Sequence, residues 1–172
     1  MATSTLIQRL DATALTTSTT VPGGYQVVTT PDVSNRSQVE TFKLKVAAGG
    51  GTVSIAKGAW VMFDTTQSGA EKVLCVRRSS TAANGNGLTV GVALEAVSVT
   101  ASASNGAEAL VRVVISGFAE AAINASAGQS LVVQTAAGVA DSASAAITCA
   151  PCGVALTTAA PGVGEVWVFK QF

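Results

Sequence analysis

The sequence predicts an all-β chain, and three observations carry the prediction: small and β-branched side chains dominate, apolar residues recur with period two, and turn residues punctuate the chain at short intervals. Of 172 residues, 48% are hydrophobic, yet aromatics reach only 5% and charged residues 12%. The long side chains that favour helices are scarce, whereas Ala, Val, Gly, Thr and Ser suit strands and tight turns. The expected architecture is a compact β-barrel or β-sandwich over 39–172, preceded by an extended N-terminal arm over 1–38. A chain of this length can bury one core of ordinary size.

In the arm, Val21-Pro22-Gly23-Gly24 and Thr30-Pro31-Asp32 are turn or breaker signals, and Tyr25 to Thr30 has the composition of a short strand. From Val39 the pattern sharpens. Phe42, Leu44 and Val46 alternate with Thr41, Lys43 and Lys45, the mark of a half-buried strand. Gly49-Gly50-Gly51 turns the chain into a second alternating run, Thr52 to Ile55. Ala59 to Asp64 and Lys72 to Arg77 are β-rich runs that a hairpin loop, 65–71, can pair. Leu88 to Leu94, Val97 to Thr100 and Leu110 to Ile115 follow, each bounded by small or turn residues, at the spacing of sandwiches and barrels.

Landmarks recur in order. Lys57-Gly58-Ala59-Trp60-Val61 matches Ala127-Gly128-Gln129-Ser130-Leu131 in type, and Gly91-Val92-Ala93-Leu94 returns as Gly153-Val154-Ala155-Leu156. Ala109 to Val114 and Gly164 to Phe169 are the β-branched runs that come next. This reads as two similar β-units, about 52–118 and 119–172, each too small to stand alone and closing one barrel or sandwich together.

Ten basic and ten acidic residues cancel and lie scattered, which gives no electrostatic footprint for nucleic acid or an anionic membrane. No apolar run approaches the ~18 residues of a membrane span, and Met1 to Leu15 lacks the layout of a secretory leader. Sparse charge leaves little repulsion between copies, so self-association is expected. Three cysteines without a leader point to free thiols made in a reducing cytoplasm.

The sequence has no histidine, which removes the usual base near neutral pH and the commonest metal ligand. Cys149-Ala150-Pro151-Cys152 has the spacing of a redox pair or half a zinc site. It precedes a strand instead of opening a helix, and only Cys75 remains as a further thiol, so the preferred reading is three small buried apolar residues. Gly49-Gly50-Gly51 and Gly85-Asn86-Gly87 lack the Lys-Ser/Thr ending of a phosphate loop and are turns. Arg77 and Arg78, with Asp64 or Glu71 across a hairpin, read as a solvated cross-strand pair, with partner contact as the alternative. Asp64, Glu71, Glu95, Glu108, Glu120, Asp141 and Glu165 are dispersed. No catalytic residue, cofactor site or metal site is predicted, and the chain is read as a non-enzyme.

The strand opening Lys57 to Val61, the turns Gly91 to Ala96 and Gly153 to Thr157, and the strand from Val111 ending in Gly117-Phe118 resemble those of the small decoration, or cement, proteins of tailed bacteriophages. The resemblance spans roughly 52–172, about two thirds of the chain. It implies a compact β-domain that binds the major capsid protein on the outer surface of the virion after synthesis in the host cytoplasm. It also implies a homotrimer whose arms bridge neighbouring capsomers. A head-fibre base, tail module or adhesin domain would share the composition and differ in location.

Overall fold

The computed structural model describes residues 16–20, 26–31, 37–81, 85–143 and 149–172, the first two stretches as backbone only. The chain divides into two units, Met1–Gln38 and Val39–Phe172. In the first, β1 (Thr16–Thr20) and β2 (Gln26–Pro31) pair antiparallel. The turn expected at Val21 to Gly24 and the rest of the arm lie outside the described residues.

Among the described residues the remainder is all-β but for one helical turn. Its elements are β3 (Gln38–Val46), β4 (Thr52–Ile55), β5 (Trp60–Phe63), α1 (Glu71–Leu74), β6 (Val76–Arg78), β7 (Thr89–Ala93) and β8 (Val97–Thr100). They continue as β9 (Ala107–Ala125), β10 (Ser130–Val132), β11 (Ala140–Ser142), β12 (Gly153–Ala155) and β13 (Ala159–Val168). The strand expected over Lys72 to Arg77 is therefore shortened. Glu71, Lys72 and Leu74 favour helix locally, and the Cys75 N–H closes the turn on the Glu71 carbonyl at 2.9 Å before β6 begins.

β9 is the spine of a nine-stranded sheet. Its C-terminal part pairs with β13, and the order continues through β12 and β10 to β11. β11 returns to run parallel with β9 at Ala140↔Ile123 and Asp141↔Asn124, which closes a barrel. The N-terminal part of β9 pairs with β7, then β5 and β6, and on its other side with β3. A single parallel bridge, Lys43↔Cys75, draws β3 against the start of β6. The two halves thus share one strand order, and each ends in one parallel contact among antiparallel pairs. β4 and β8 form a separate antiparallel pair that belongs to the first half only.

The register repeats as well. Trp60↔Val92 and Val61↔Gly91 in the first half correspond to Ser130↔Val154 and Leu131↔Gly153 in the second. Met62↔Arg77 corresponds to Val132↔Asp141. Backbone bonds recur at matching positions: Gly58 N–H to Ala93 O at 2.8 Å and Gly128 N–H to Ala155 O at 2.7 Å. Likewise Leu94 N–H reaches Arg112 O at 3.0 Å and Leu156 N–H reaches Glu165 O at 2.8 Å. At Gly91 a Cβ would fall deep inside the Val114 carbonyl, and at Gly153 it would come within 2.6 Å of the Trp167 carbonyl. Only glycine lets these strands approach so closely.

The limit expected between the units at 118/119 falls inside β9, which runs through it unbroken. The first half also begins earlier, at β3, and the one nine-stranded sheet holds a closed β-barrel with additional strands, as expected, while each half packs an apolar cluster of its own. Two cores result. Phe42, Leu44, Val46, Val61, Val76, Val90, Val111, Val113 and Ile115 fill the first, which Ile55 and Val99 of the β4–β8 pair complete. Ala121, Ile123, Leu131, Val133, Ala155, Val166 and Val168 fill the second.

β5, β7 and β9 form the wall between them. Val61 and Ala93 face the first core, while their neighbours Trp60 and Val92 face the second, as period two requires. All five residues of β7 are accordingly buried. Along β9, Val114 and then Ala119, Ala121 and Ile123 face the second core, a change from even to odd positions. Gly117, with φ +99°, lies at that change, in a backbone conformation open to glycine.

Candidate interaction surface

The polar side chains are largely engaged in holding turns and strands. Burial raises the Asp64 carboxyl pKa, but hydrogen bonds from Gln67 Nε2 at 2.8 Å, Thr66 Oγ1 at 2.7 Å and Thr66 N–H at 3.1 Å, with the Arg77 guanidinium beyond, outweigh it and hold it below the usual range. Arg77 Nε stands 4.0 Å from Asp64 Oδ1, so the expected Arg77–Asp64 pair forms at β5 and β6, but it is not solvated: Asp64 is buried, and Arg77 Nε is buried without a hydrogen-bond acceptor among the described residues. Glu71 turns elsewhere, to Lys45 at 3.2 Å and the Cys75 thiol at 3.3 Å. In the second half Asp141 accepts from Asn124 Nδ2 at 3.1 Å and from the Thr135 N–H at 3.2 Å.

The outer ion pairs are Lys43–Glu108, Lys57–Glu120 and Arg112–Glu95, the last two-pronged at 3.0 and 3.3 Å. Exposed pairs of this kind add little stability. Glu165 stands directly opposite Glu120 across β13 and β9, an encounter of like charges that dispersion along the sequence concealed.

All three cysteines are free thiols. Burial pushes the Cys152 pKa up to about 12, and the thiol sits 3.2 Å from the Leu131 carbonyl it donates to. Burial, reinforced by the Glu71 carboxylate, raises Cys75 to about 11. Thiolate chemistry at either is strongly disfavoured near neutral pH. The Cys149–Cys152 segment leads into β12, a strand, and Ala145 to Thr148 ahead of it lie outside the described residues. Among the described residues no three His, Cys, Asp or Glu side chains converge to hold a metal ion, and no helix is long and apolar enough to cross a membrane.

A groove of about 390 Å³ opens where the end of β3 meets the start of β9, lined by Lys45, Val46, Ala47, Gly106, Ala107 and Glu108. Its two charged walls are already ion-paired, to Glu71 and Lys43. The larger feature is outward-facing apolar side chains. Leu110 is 65% exposed, Val163 69%, Trp167 37% and Phe169 39%. Three of these lie at alternate positions on one face of β13 and its end. The sequence carried the signal in Glu165-Val166-Trp167-Val168-Phe169: Val166 and Val168 fill one face, and beyond Glu165 the other continues in Trp167 and Phe169 where polar residues would suit water.

The C-terminal residues pack back on the first half. Phe172 meets Phe63 edge-on at 5.2 Å and Phe42 at 6.4 Å, and Gln171 Nε2 donates to the Pro151 carbonyl at 2.9 Å. No protein-family model matches the chain, and no curated protein sequence matches it. The fold and the surface define a class, an all-β scaffold whose exposed faces carry large apolar side chains.

Proposed function

We propose that this chain is a structural virion protein that binds the outer surface of the major capsid protein lattice and stabilises a phage head. The supporting observation is the combination of a glycine-tight β framework with apolar side chains, Leu110, Val163, Trp167 and Phe169, on its outside. Cementing a shell needs shape-matched contact over a wide area more than it needs a pocket, and exposed apolar patches on a rigid scaffold supply such contact. The sparse charge, 12% of residues, suits a protein packed among others, and the proposal includes self-association, as a trimer in the resemblance noted above.

The test is co-sedimentation of the purified chain with undecorated capsids. Saturable binding at a fixed ratio to capsid subunits is the expected result. A chain that stays in the supernatant at every concentration contradicts the proposal and turns attention to fibre, tail and adhesin roles.

A further inference from the structure

Three asparagines in the chain precede glycine, at positions 84, 86 and 105. Asn84 lies outside the described residues, and the fold treats the other two in opposite ways. Asn86 is locked. It is 9% exposed, its Nδ2 donates to the Ser80 carbonyl at 3.0 Å and to Met62 Sδ at 3.3 Å, and its Oδ1 accepts from the Leu88 N–H at 3.0 Å. Its main chain is held as well, the N–H on the Val133 carbonyl at 3.0 Å and the carbonyl under Thr89 Oγ1 at 2.8 Å. A side chain bonded at both ends of its amide cannot swing its Cγ onto the next backbone nitrogen without breaking those bonds.

Asn105 stands on the exposed connection between β8 and β9. Its N–H donates to Ser102 Oγ at 3.0 Å, and its carbonyl accepts from the same hydroxyl at 3.4 Å. Its side-chain amide has no hydrogen-bond partner among the described residues. The fold also fixes glycine after it: a Cβ at Gly106 would come within 2.8 Å of the Val46 carbonyl, where the end of β3 meets the start of β9. Gly106 therefore sets a backbone nitrogen with no side chain to shield it beside an unbound amide.

We propose that Asn105–Gly106 is a self-modifying site at which Asn105 deamidates through a cyclic imide, while the fold protects Asn86. The Gly106 nitrogen gives up its proton and bonds to Asn105 Cγ. The Cγ–Nδ2 bond breaks, and Nδ2 leaves as ammonia with that proton. Water then adds to either carbonyl of the imide ring, breaks its bond to the nitrogen, and leaves aspartate or isoaspartate at position 105. Water is the co-reactant throughout, and nothing is oxidised or reduced. Either product adds a negative charge to a chain whose charges cancel, beside the groove lined by Lys45, Gly106 and Glu108. Isoaspartate also lengthens the main chain by a carbon just ahead of Ala107, where β9 begins. The inference concerns the chain itself and does not rest on binding to a capsid.

To test it, the full chain is kept folded at mildly alkaline pH over weeks and digested. Tandem mass spectrometry of the peptides then places the amide-to-acid mass gain on Asn105 or on Asn86. A parallel sample is held in guanidinium chloride. In the folded protein, conversion at Asn105 is expected to run at least about tenfold faster than at Asn86, which reacts only in molecules whose local bonds have opened. In denaturant the two are expected to convert at similar rates, and Asn105→Ser is expected to remove the first site and leave Asn86 as it was. Equal rates in the folded protein, or an Asn105 that keeps its amide while the denatured sample converts, overturn the proposal.

Discussion

The two halves of the β-domain use one strand order and one register to opposite ends. In the first, the outward row of the β5–β7–β9 wall is an interior surface, and the largest fully buried side chain, Trp60, sits in it without exposure. In the second, the corresponding row faces out, and its tryptophan has moved from the first strand of the row to the last. The first half is held shut by one bridge, Lys43↔Cys75, and filled by the β4–β8 pair. The second closes through a two-residue parallel pairing and needs no such filler. A repeated unit too small to bury both faces of its sheet gains a second layer from its neighbour, and the last unit in the row is left with a face to offer.

The largest effects are expected at the glycines that set strand spacing. Gly91→Ala drives a methyl into the Val114 carbonyl and should cost more than about 4 kcal/mol, read as loss of the cooperative urea transition. Gly153→Ala, whose methyl would come within 2.6 Å of the Trp167 carbonyl, should cost less and leave a measurable transition. Equal losses would break the claim that the strands approach more closely at Gly91 than at Gly153.

Next comes the tryptophan pair. Trp60→Ala empties a site shared by the second core and the wall and should cost about 3–5 kcal/mol, whereas Trp167→Ala should change the stability of the monomer by under about 1 kcal/mol. Urea midpoints of the two variants decide it, and a reversal of that order would sink the comparison.

A smaller effect is pH-dependent. The Asp64 carboxyl is held below its ordinary pKa in the folded state, so its contribution is complete above the unfolded value near ~4 and is lost as pH falls through the lowered one. Thermal midpoints of wild type and Asp64→Asn should therefore differ at pH 6 and converge as the medium becomes more acidic than pH ~4. In the second half, Glu165→Gln removes a like-charge encounter with Glu120 and should raise the midpoint slightly at pH 7.

The thiols give the mildest test. With Cys152 raised to about 12 and Cys75 to about 11, at most one of the three cysteines should react promptly with a thiol reagent at pH 8, and all three after denaturation. Rapid reaction of two thiols in the native protein would reopen the redox alternative for Cys149 and Cys152.

Much of this framework was readable because small residues mark it. Period two placed β3 and β4, small and turn residues bounded β8, and the glycines at 58, 91, 128 and 153 aligned two halves whose hydrogen bonds later proved to correspond. What escaped was set by contacts remote in sequence. Leu110 to Ile115 gave no hint that β9 continues to Ala125, because Gly117 and a run of alanines look like a boundary until both flanks find partners in β7 and β13. The helical turn at Glu71–Leu74 was hidden in a β-rich run, for its local preference is modest and Lys45 across the surface helps to hold it. The outward Trp167 was legible as a strand residue, and only the register shows that its counterpart is buried.

The most direct test of the account is electron cryomicroscopy of undecorated phage capsids incubated with the purified chain. The account predicts added β-rich density at fixed, symmetry-related positions on the outer surface. Shells indistinguishable from those kept without the protein would contradict it.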